Sequence, residues 1–293
     1  MPYKKFGHSQ LIFTRNGLLK FVAVGECTLD RYAHPPDERV GGISLNFALN
    51  ARGEGESDVA LVSCVGTDAA ADRVRTALEQ AGVDVRQLHS LPGRTASQSI
   101  ELRADGERIF PPGGYDPGVL ADFRLGESDL ALIRAADVIA VPCFRQLALL
   151  FDPILHARDL RAFLVADLLD GEDLGAGLDG IDPLLDVLDL LFISGDERTV
   201  ARLLPRSRGT RSLLVVTHGA TGSSALVRGE RLIAPADPVP PAERVDTNGC
   251  GDAFQAAFTV SYLRHRDVQS ALHAGARRAA RVIRHAGATS DDD

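Results

Sequence analysis

Short apolar runs recur along the chain, and each is followed by a Gly, Pro or Asp break and then by a stretch with helical character. The runs cover residues 21–25, 60–66, 137–142, 162–167, 190–195 and 212–219. Strands that are apolar at nearly every position are buried on both faces, which is typical of a parallel sheet covered by helices. The pattern predicts an α/β fold with a doubly wound, mostly parallel sheet flanked by helices.

One region has a different period. Residues 95–112 alternate between apolar and polar positions, and Asp105 with Gly106 stands where a tight hairpin turn fits, so we expect a small antiparallel flap. Residues 1–17 and 289–293 have no clear periodicity. We expect them to be an extension and a tail of one domain that covers residues 18–288.

Charge and composition narrow the classes of function. A net charge of −8 argues against a nucleic-acid partner and against an anionic membrane surface. No apolar run reaches the length of a membrane span, and the first ten residues lack the apolar core of a signal peptide. The four cysteines lie far apart, which disfavours a zinc site and a disulfide framework. We expect a cytoplasmic protein with free thiols.

The segment with the most chemical information is residues 244–254, RVDTNGCGDAF. Gly249 and Gly251 flank Cys250, so three successive amides can turn toward one anion at the start of an apolar helix. Asp252 would repel a phosphate there, unless it takes a proton from an attacking hydroxyl. Together these features indicate phosphoryl transfer. The alternative is an ordinary turn in which Asp252 caps the helix. The helix start also favours a lowered pKa of the Cys250 thiol.

A second group of polar residues follows the first predicted strand. Asp30 lies just beyond residues 21–25, and ligands of parallel α/β sheets bind at the carboxyl ends of strands. Asp30 and Asn46 supply the acceptors and donors that a sugar needs, and Gly41 and Gly42 let backbone come close to a sugar ring. The alternative is that Asp30 starts a turn and Asn46 caps a helix.

These segments resemble the signatures of one enzyme family. DTNGCGD is similar to the D-T-x-G-A-G-D signature of the ribokinase-like carbohydrate kinases, also called the PfkB family, with Cys250 where the family usually has Ala. GGISLNFALN is similar to the family's Gly-Gly and Asn signature, and a V-G-x-D, helix and G-V-D succession runs from Val65 to Asp84. ISGDERTV is similar to the N-x-x-E motif and VVTHGATGSSAL to the ATP loop. The motifs stand in the family's order over about residues 20–288.

The resemblance implies a ribokinase-like fold with a small β lid over a sugar. The lid would be formed by two segments, about residues 30–40 and 95–112. The sugar hydroxyls would be bound by Asp30 and Asn46. The resemblance also leaves open a homodimer that forms through the lid.

The nucleotide half of the site is implied in the same way. Because the chain has no Walker loop, ATP must be held by other residues. Glu197 would organise Mg²⁺ through water, since this ion keeps most of its waters. Asp246 lies where relatives bind a monovalent cation such as K⁺. Ser194 stands where the family usually has Asn. The residues that the resemblance assigns to ATP are Ser194, Thr217, Gly219 and Gly222.

The implied reaction is in-line transfer of the γ-phosphoryl group of ATP to a sugar hydroxyl. Asp252 is the expected general base, and the amides of Gly249, Cys250 and Gly251 stabilise the transferred charge. The flap and the C-terminal RVIRHAGA are more similar to the fructosamine kinase branch, typified by fructoselysine 6-kinase, than to ribokinases or adenosine kinases. The alternatives are a ketohexose kinase, a nucleoside kinase of the same family and a non-catalytic sugar-binding relative. Arg108 is a candidate phosphate contact, but a solvated surface position is the simpler interpretation.

Overall fold

A computed structural model describes residues 19–157, 159–171 and 177–288. The predicted extension at 1–17, the first domain residue, 18, and the tail at 289–293 lie outside these residues. In chain order the strands are β1 (Lys20–Val24), β2 (Thr28–Tyr32), β3 (Asp37–Gly41), β4 (Asp58–Val65), β5 (Leu88–Ser90), β6 (Ala96–Leu102), β7 (Arg108–Ile109), β8 (Tyr115–Asp116), β9 (Val138–Pro142), β10 (Phe163–Asp167), β11 (Leu190–Ser194), β12 (Leu213–Thr217), β13 (Ser223–Val227) and β14 (Glu230–Ala234). The α-helices are α1 (Ile43–Gly53), α2 (Ala69–Gln80), α3 (Glu127–Arg134), α4 (Ala148–Leu155), α5 (Asp182–Leu185), α6 (Glu197–Arg206), α7 (Cys250–His265) and α8 (Val268–Val282).

The large sheet has the strand order β14-β13-β12-β11-β10-β9-β1-β4-β5. The six predicted strands are β1, β4, β9, β10, β11 and β12, and they pair in parallel. The predicted doubly wound sheet is therefore confirmed. The sequence analysis missed β5 and the antiparallel hairpin of β13 and β14, which turns at Arg228 and Gly229, both with positive φ.

The strands of this sheet are buried on both faces, as their composition predicts. In β1, Phe21 and Ala23 pack into one hydrophobic core, whereas Val22 and Val24 pack into the other. Alternate residues of one strand thus contribute to two layers of helices. Among the described residues no helix is both long enough and apolar enough to span a membrane.

A second, small sheet, formed by β2, β3, β6, β7 and β8, lies apart from the large one. The expected hairpin is present, with Leu102 of β6 opposite Arg108 of β7. The predicted antiparallel flap is confirmed, since β7 and β8 both pair antiparallel with β6. Strand β2, which lies outside the predicted flap, pairs in parallel with β6. Strands β2 and β6 are separated in the chain by β3, α1, β4, α2 and β5, and a connection of that length allows parallel pairing.

The start of α7 is fixed by the residue that caps it. Gly249 is the N-cap with φ 73°, and a Cβ atom at this position would lie 2.4 Å from the Cβ of Ala288. The alternative in which Asp252 caps this helix was wrong, since Asp252 lies within the first turn. Farther along α7, the ring of Phe258 packs edge-on against Phe192, with centroids 5.4 Å apart, so the helix is anchored on the large sheet.

Candidate active site

Two predicted site residues from opposite parts of the chain are in direct contact. Asn46, in the first turn of α1, donates a hydrogen bond from Nδ2 to Oδ2 of Asp252, with an N···O distance of 2.7 Å. Asn46 is buried, and its Oδ1 has no partner among the described residues. A buried amide oxygen without a partner is costly, so this atom is suited to accept a hydrogen bond from a bound hydroxyl.

The carboxyl group of Asp252 has the properties of a base that is poised near neutral pH. Asp252 as a residue is half-buried, but its carboxyl is surrounded by protein, and this burial raises its pKa to about 8. The hydrogen bond from Asn46 lowers the pKa, and the neighbouring charge of Asp167 raises it. A carboxylate that holds its proton this firmly can take a proton from a hydroxyl more readily than an ordinary Asp can.

The backbone at the start of α7 presents unpaired donors. The amides of Gly249, Gly251 and Asp252 have no partner among the described residues, whereas the amide of Cys250 donates to the carbonyl oxygen of Thr247 at 3.3 Å. A Cβ atom built on Gly251 meets no atom within 4 Å, so the space beside it is open. Free donors, open space and the positive end of a helix dipole suit a phosphate group of ATP.

Asp30 lies in β2 and is held by two side chains. Its Oδ1 accepts from the hydroxyl of Thr28 at 2.7 Å, and its Oδ2 accepts from Nδ2 of Asn248 at 2.8 Å. Asn248 was missed by the sequence analysis, although it stands inside the motif. Asp30 is 3% exposed, and burial raises its pKa to about 6. A Cβ atom on Gly41 would meet this carboxylate at 2.1 Å, so the glycine makes room for Asp30 itself.

Asp246 connects the small sheet to the loop before α7. Its Oδ2 accepts from the hydroxyl of Tyr32 at 2.6 Å and from the amide of Gly287 at 2.9 Å, and its Oδ1 accepts from the amide of Asn248 at 2.8 Å. Both carboxylate oxygens are thus occupied by protein donors. The placement of a monovalent cation beside Asp246 stays a prediction.

Arg108 of β7 is half-buried and contacts the loop that precedes α7. Its backbone amide donates to Oγ1 of Thr247 at 3.0 Å, and its guanidinium donates to the carbonyl oxygen of Thr247 at 2.9 Å. Its positive charge also lowers the pKa values of Asp30 and Asp252. The simpler interpretation as a solvated surface residue was wrong, because the hairpin folds back onto the loop that precedes α7.

The residues expected to contact ATP lie at the carboxyl ends of two neighbouring strands. Ser194 and Thr217 are register partners in β11 and β12, and their hydroxyl oxygens are 3.3 Å apart. Gly219 and Gly222 follow with φ angles of 56° and 115°, and a Cβ atom on Gly222 would lie 2.2 Å from the carbonyl oxygen of Ala234. The four residues are therefore neighbours, and their contact with ATP stays a prediction.

Glu197 forms a bidentate ion pair in this structure. Its two carboxylate oxygens each accept from the guanidinium of Arg231 at 2.6 Å, and the side chain of Glu197 is 72% exposed. The described residues contain no group of three or more acidic, His or Cys side chains that could hold a metal. Mg²⁺ that enters with ATP keeps its waters and the phosphate oxygens as ligands, so a cage made of protein is not required.

The expected lowering of the Cys250 pKa was wrong. Burial raises the pKa of this thiol to about 12, against a smaller lowering by the charge of Arg108. Its Sγ faces two backbone carbonyl oxygens, those of Asp246 at 3.9 Å and Ala279 at 3.7 Å. Desolvation of the thiolate outweighs the helix dipole at this position.

Two further buried carboxyl groups lie near the base, and no sequence motif pointed to either of them. Glu26 follows β1 and is 6% exposed, and Asp167 ends β10 and is 8% exposed. Both raise the pKa of Asp252 through their charges, so they lie in the same region. A groove of about 530 Å³ lies elsewhere, along β3, α2 and residues 286–288, and none of the predicted site residues lines it.

The chain is similar to known proteins over most of its length. A family model described as pfkB family carbohydrate kinase matches residues 20–143 and 187–293. The fructoselysine 6-kinase of Shigella flexneri is 28% identical over 271 residues, which cover 90% of this chain and 97% of that protein. A fructokinase of Klebsiella pneumoniae is 31% identical over 246 residues, which cover 77% of each. The crystal structure of adenosine kinase from Sinorhizobium meliloti superposes with a TM-score of 0.80 at 20% identity, covering 93% of this chain and 96% of that chain.

Proposed function

Since the chain belongs to the pfkB family of carbohydrate kinases and is an ATP-dependent kinase with the ribokinase-like fold, we propose that it phosphorylates a hydroxyl of a fructosamine or a ketohexose. The observation that carries the proposal is the hydrogen bond between Asn46 and Asp252. It joins a residue suited to bind a sugar hydroxyl to a carboxyl group suited to deprotonate one. The unpaired amides at the start of α7 lie beside both.

The acceptor is bound by side chains from both sheets. The hydroxyl to be phosphorylated donates to the carboxylate of Asp252, which takes its proton as the new oxygen–phosphorus bond forms and the bond to ADP breaks. A neighbouring hydroxyl of the acceptor donates to Oδ1 of Asn46. Asp30 accepts hydrogen bonds from further hydroxyls, supported by Thr28 and Asn248. The small sheet covers the bound sugar, and water is excluded from the reacting atoms.

The transferred phosphoryl group is stabilised by groups that are already in place. The amides of Gly249 and Gly251, with that of Asp252, donate to its oxygens at the positive end of α7. Arg108 brings a full positive charge from the small sheet to the loop before this helix. These donors favour charge on the transferred group without reorganisation of the backbone.

ATP and Mg²⁺ fit this arrangement to different degrees. The open anion site at the start of α7 suits the phosphates, and Ser194, Thr217, Gly219 and Gly222 line the proposed nucleotide side. Glu197 could act on Mg²⁺ through water only if its ion pair with Arg231 opened. K⁺ beside Asp246 has less support, because both oxygens of that carboxylate already accept hydrogen bonds.

The choice of a fructosamine or a ketohexose as the acceptor is supported by the proteins to which the chain is similar. The matching protein of Shigella flexneri is a fructoselysine 6-kinase and spans nearly the same length as this chain. A fructosamine kinase of Bacillus subtilis, 26% identical over 273 residues, belongs to the same group of matches. The fructokinase match supports a ketohexose as the other acceptor.

A screen of the purified protein tests the proposal. The protein is incubated with MgATP and fructosamines, ketohexoses or nucleosides, ADP release is followed, and the product is examined by mass spectrometry for one added phosphoryl group. Asp252→Asn is run in parallel, because it removes the base but not the fold, and a preparation from cells that do not express the protein shows any turnover by a contaminating kinase. We expect turnover with a fructosamine or ketohexose.

The other outcomes are equally informative. Turnover with nucleosides alone would mean that the protein is a nucleoside kinase and that the proposed acceptor is wrong. Binding of sugar without turnover of any acceptor would favour a non-catalytic relative. Equal turnover by wild type and Asp252→Asn would show that Asp252 is not the base.

A further inference from the structure

His218 joins the two loops that carry the proposed ATP residues. One nitrogen of its imidazole ring, Nδ1, lies 2.7 Å from the carbonyl oxygen of Gly195, in the loop after β11. The other, Nε2, lies 2.9 Å from Oγ of Ser224 in β13. The backbone amide of His218 donates to the carbonyl oxygen of Gly222 at 2.8 Å, within the loop between β12 and β13. The ring therefore connects the loop after β11 with the loop between β12 and β13.

Arg231 of β14 reaches the same serine. Its Nε donates to Oγ of Ser224 at 3.0 Å, and its two terminal nitrogens donate to the carboxylate of Glu197 at 2.6 Å each. The side chain of Glu197 is exposed, and an ion pair with an exposed partner contributes little free energy. Ser224 is buried, so the hydrogen bond that it accepts is shielded from water, and its loss leaves a buried polar group without a partner. The contact of Arg231 with Ser224 is therefore the stronger constraint.

The chemistry of these groups fixes the direction of each hydrogen bond. A carbonyl oxygen only accepts, so Nδ1 of His218 carries a hydrogen and donates to Gly195. A guanidinium only donates, so Oγ of Ser224 accepts from Arg231. In a neutral imidazole Nε2 then has no hydrogen, and the hydroxyl of Ser224 donates to it. The result is a relay with one direction, through Arg231, Ser224, His218 and Gly195.

We propose that Arg231 and His218 are positioning residues for ATP, because the relay holds the loop after β11 and the loop between β12 and β13 in one fixed arrangement. The proposal rests on the proposed function, in which these loops bind ATP. Both ring nitrogens of His218 and Nε of Arg231 already bind protein atoms, so the two side chains act through the loops and not by contact with ATP. Loops that are ordered before binding lose less conformational entropy when ATP binds. The relay should thus strengthen ATP binding without taking part in phosphoryl transfer.

Two substitutions interrupt the relay at different residues. Arg231→Met keeps an unbranched side chain but removes every donor. Ser224→Ala removes the hydroxyl and leaves the ion pair of Arg231 with Glu197 in place, so it separates the relay from that ion pair. The control is Glu230→Gln, which changes an exposed charge on the same strand, β14. Thermal melting of each variant verifies that it is folded.

The affinity for MgATP is measured by calorimetric titration without acceptor, and kcat and both KM values are measured by ADP release with the acceptor that the screen identifies. Each relay variant should raise Kd and KM for ATP by about 3- to 10-fold, the range for one lost hydrogen bond. The control should match wild type. In the relay variants kcat and the KM for the acceptor should stay within about 2-fold of wild type.

The double variant Arg231→Met with Ser224→Ala tests whether the two residues act through one relay. Its affinity for MgATP should be no weaker than that of the weaker single variant, because either change already interrupts the relay. Losses that add in the double variant would overturn the proposal. So would a normal Kd in either single variant, or a loss in kcat with normal ATP affinity.

Nitrogen NMR of the imidazole ring gives a readout that general destabilisation does not imitate. At about pH 8, above the usual range of imidazole titration, His218 of the wild type should carry its hydrogen on Nδ1. The variant His218→Asn identifies the signals of this ring among those of the eight histidines. Ser224→Ala and Arg231→Met should both shift the Nε2 signal, and Glu230→Gln should not. A hydrogen on Nε2 in the wild type would refute the relay.

The titration also separates this inference from the proposed function. Wild type that binds MgATP no more tightly than the relay variants would overturn this inference alone. Wild type that does not bind MgATP at all would overturn the proposed function and this inference with it.

Discussion

The raised pKa of Asp252 gives a quantitative prediction for its replacement by Asn. With a pKa of about 8, about one-tenth of the carboxyl groups are ionised at pH 7 and about nine-tenths at pH 9. If Asp252 is the base, kcat/KM of the wild type rises about tenfold between these two pH values. In Asp252→Asn the rise disappears, and kcat at pH 9 falls by about 10²–10⁴, the range for loss of a general base.

Asp252→Asn lowers activity but should raise the stability of the folded protein. The carboxyl group is harder to ionise in the folded protein than in the unfolded chain, where its pKa is about 3.8. The free energy of unfolding that depends on Asp252 is therefore highest at low pH, where the carboxyl group is protonated in both states, and it falls as the pH rises from about 4 to about 8. Four pKa units correspond to an upper limit of about 6 kcal/mol. Because Asp252 is only half-buried, we expect Asp252→Asn to raise the free energy of unfolding at pH 8 by about 1–3 kcal/mol.

Two measurements verify this reasoning. Release of ADP is quantified chromatographically across the pH range, and thermal unfolding is recorded at pH 4 and pH 8 for wild type, Asp252→Asn and Asp58→Asn. Asp58 is exposed at the start of β4 and serves as the matched control. An Asn variant that turns over within a few-fold of wild type at pH 9 would refute the assignment of the base. A stability gain that is equal at both pH values would refute the argument from burial.

Three further predictions follow from the same contacts. Asp30→Ala should lower kcat/KM for the acceptor by about 10²-fold with the KM for ATP unchanged, since several buried hydrogen bonds are lost. Weaker ATP binding with normal acceptor kinetics would mean that Asp30 lies on the ATP side of the site and not on the acceptor side. Cys250 should react slowly with iodoacetamide at pH 8, as followed by mass spectrometry, because its raised pKa leaves little thiolate; rapid inactivation that Cys250→Ala abolishes would contradict this. Arg108→Ala should move the midpoint of the pH–rate profile upward, because its charge lowers the pKa of the base, and an unchanged midpoint would remove Arg108 from the site.

The sequence predicted the large sheet well, because buried parallel strands have an unmistakable composition. The hairpin of β13 and β14 was missed because its composition is not that of buried strands. Its strands form the edge of the sheet, and β14 mixes exposed and buried residues. Its turn, Arg228 and Gly229, adopts positive φ angles without the Asn-Gly or Asp-Gly pair that usually indicates such a turn.

Within the site, the individual residues could be predicted, but not which of them touch each other. Asn248 and Asp30 are 218 positions apart in the chain, and no local pattern relates them. Arg108 was interpreted as a surface residue, because the sequence of a hairpin does not show which part of the protein the hairpin packs against. The direction of the pKa shift of Cys250 was wrong because the helix dipole can be inferred from the sequence, whereas desolvation depends on the atoms that surround the thiol in the fold.

The hydrogen bonds between the small sheet and the loop before α7 make the two substrates thermodynamically dependent on each other. Arg108 reaches Thr247 and Asp30 reaches Asn248, so any motion that carries this sheet away from the sugar must also break contacts beside the phosphate site. Binding of one substrate that strengthens these contacts therefore strengthens binding of the other, and the coupling free energy must be the same in both directions. The factor by which the sugar tightens ATP must then equal the factor by which ATP tightens the sugar.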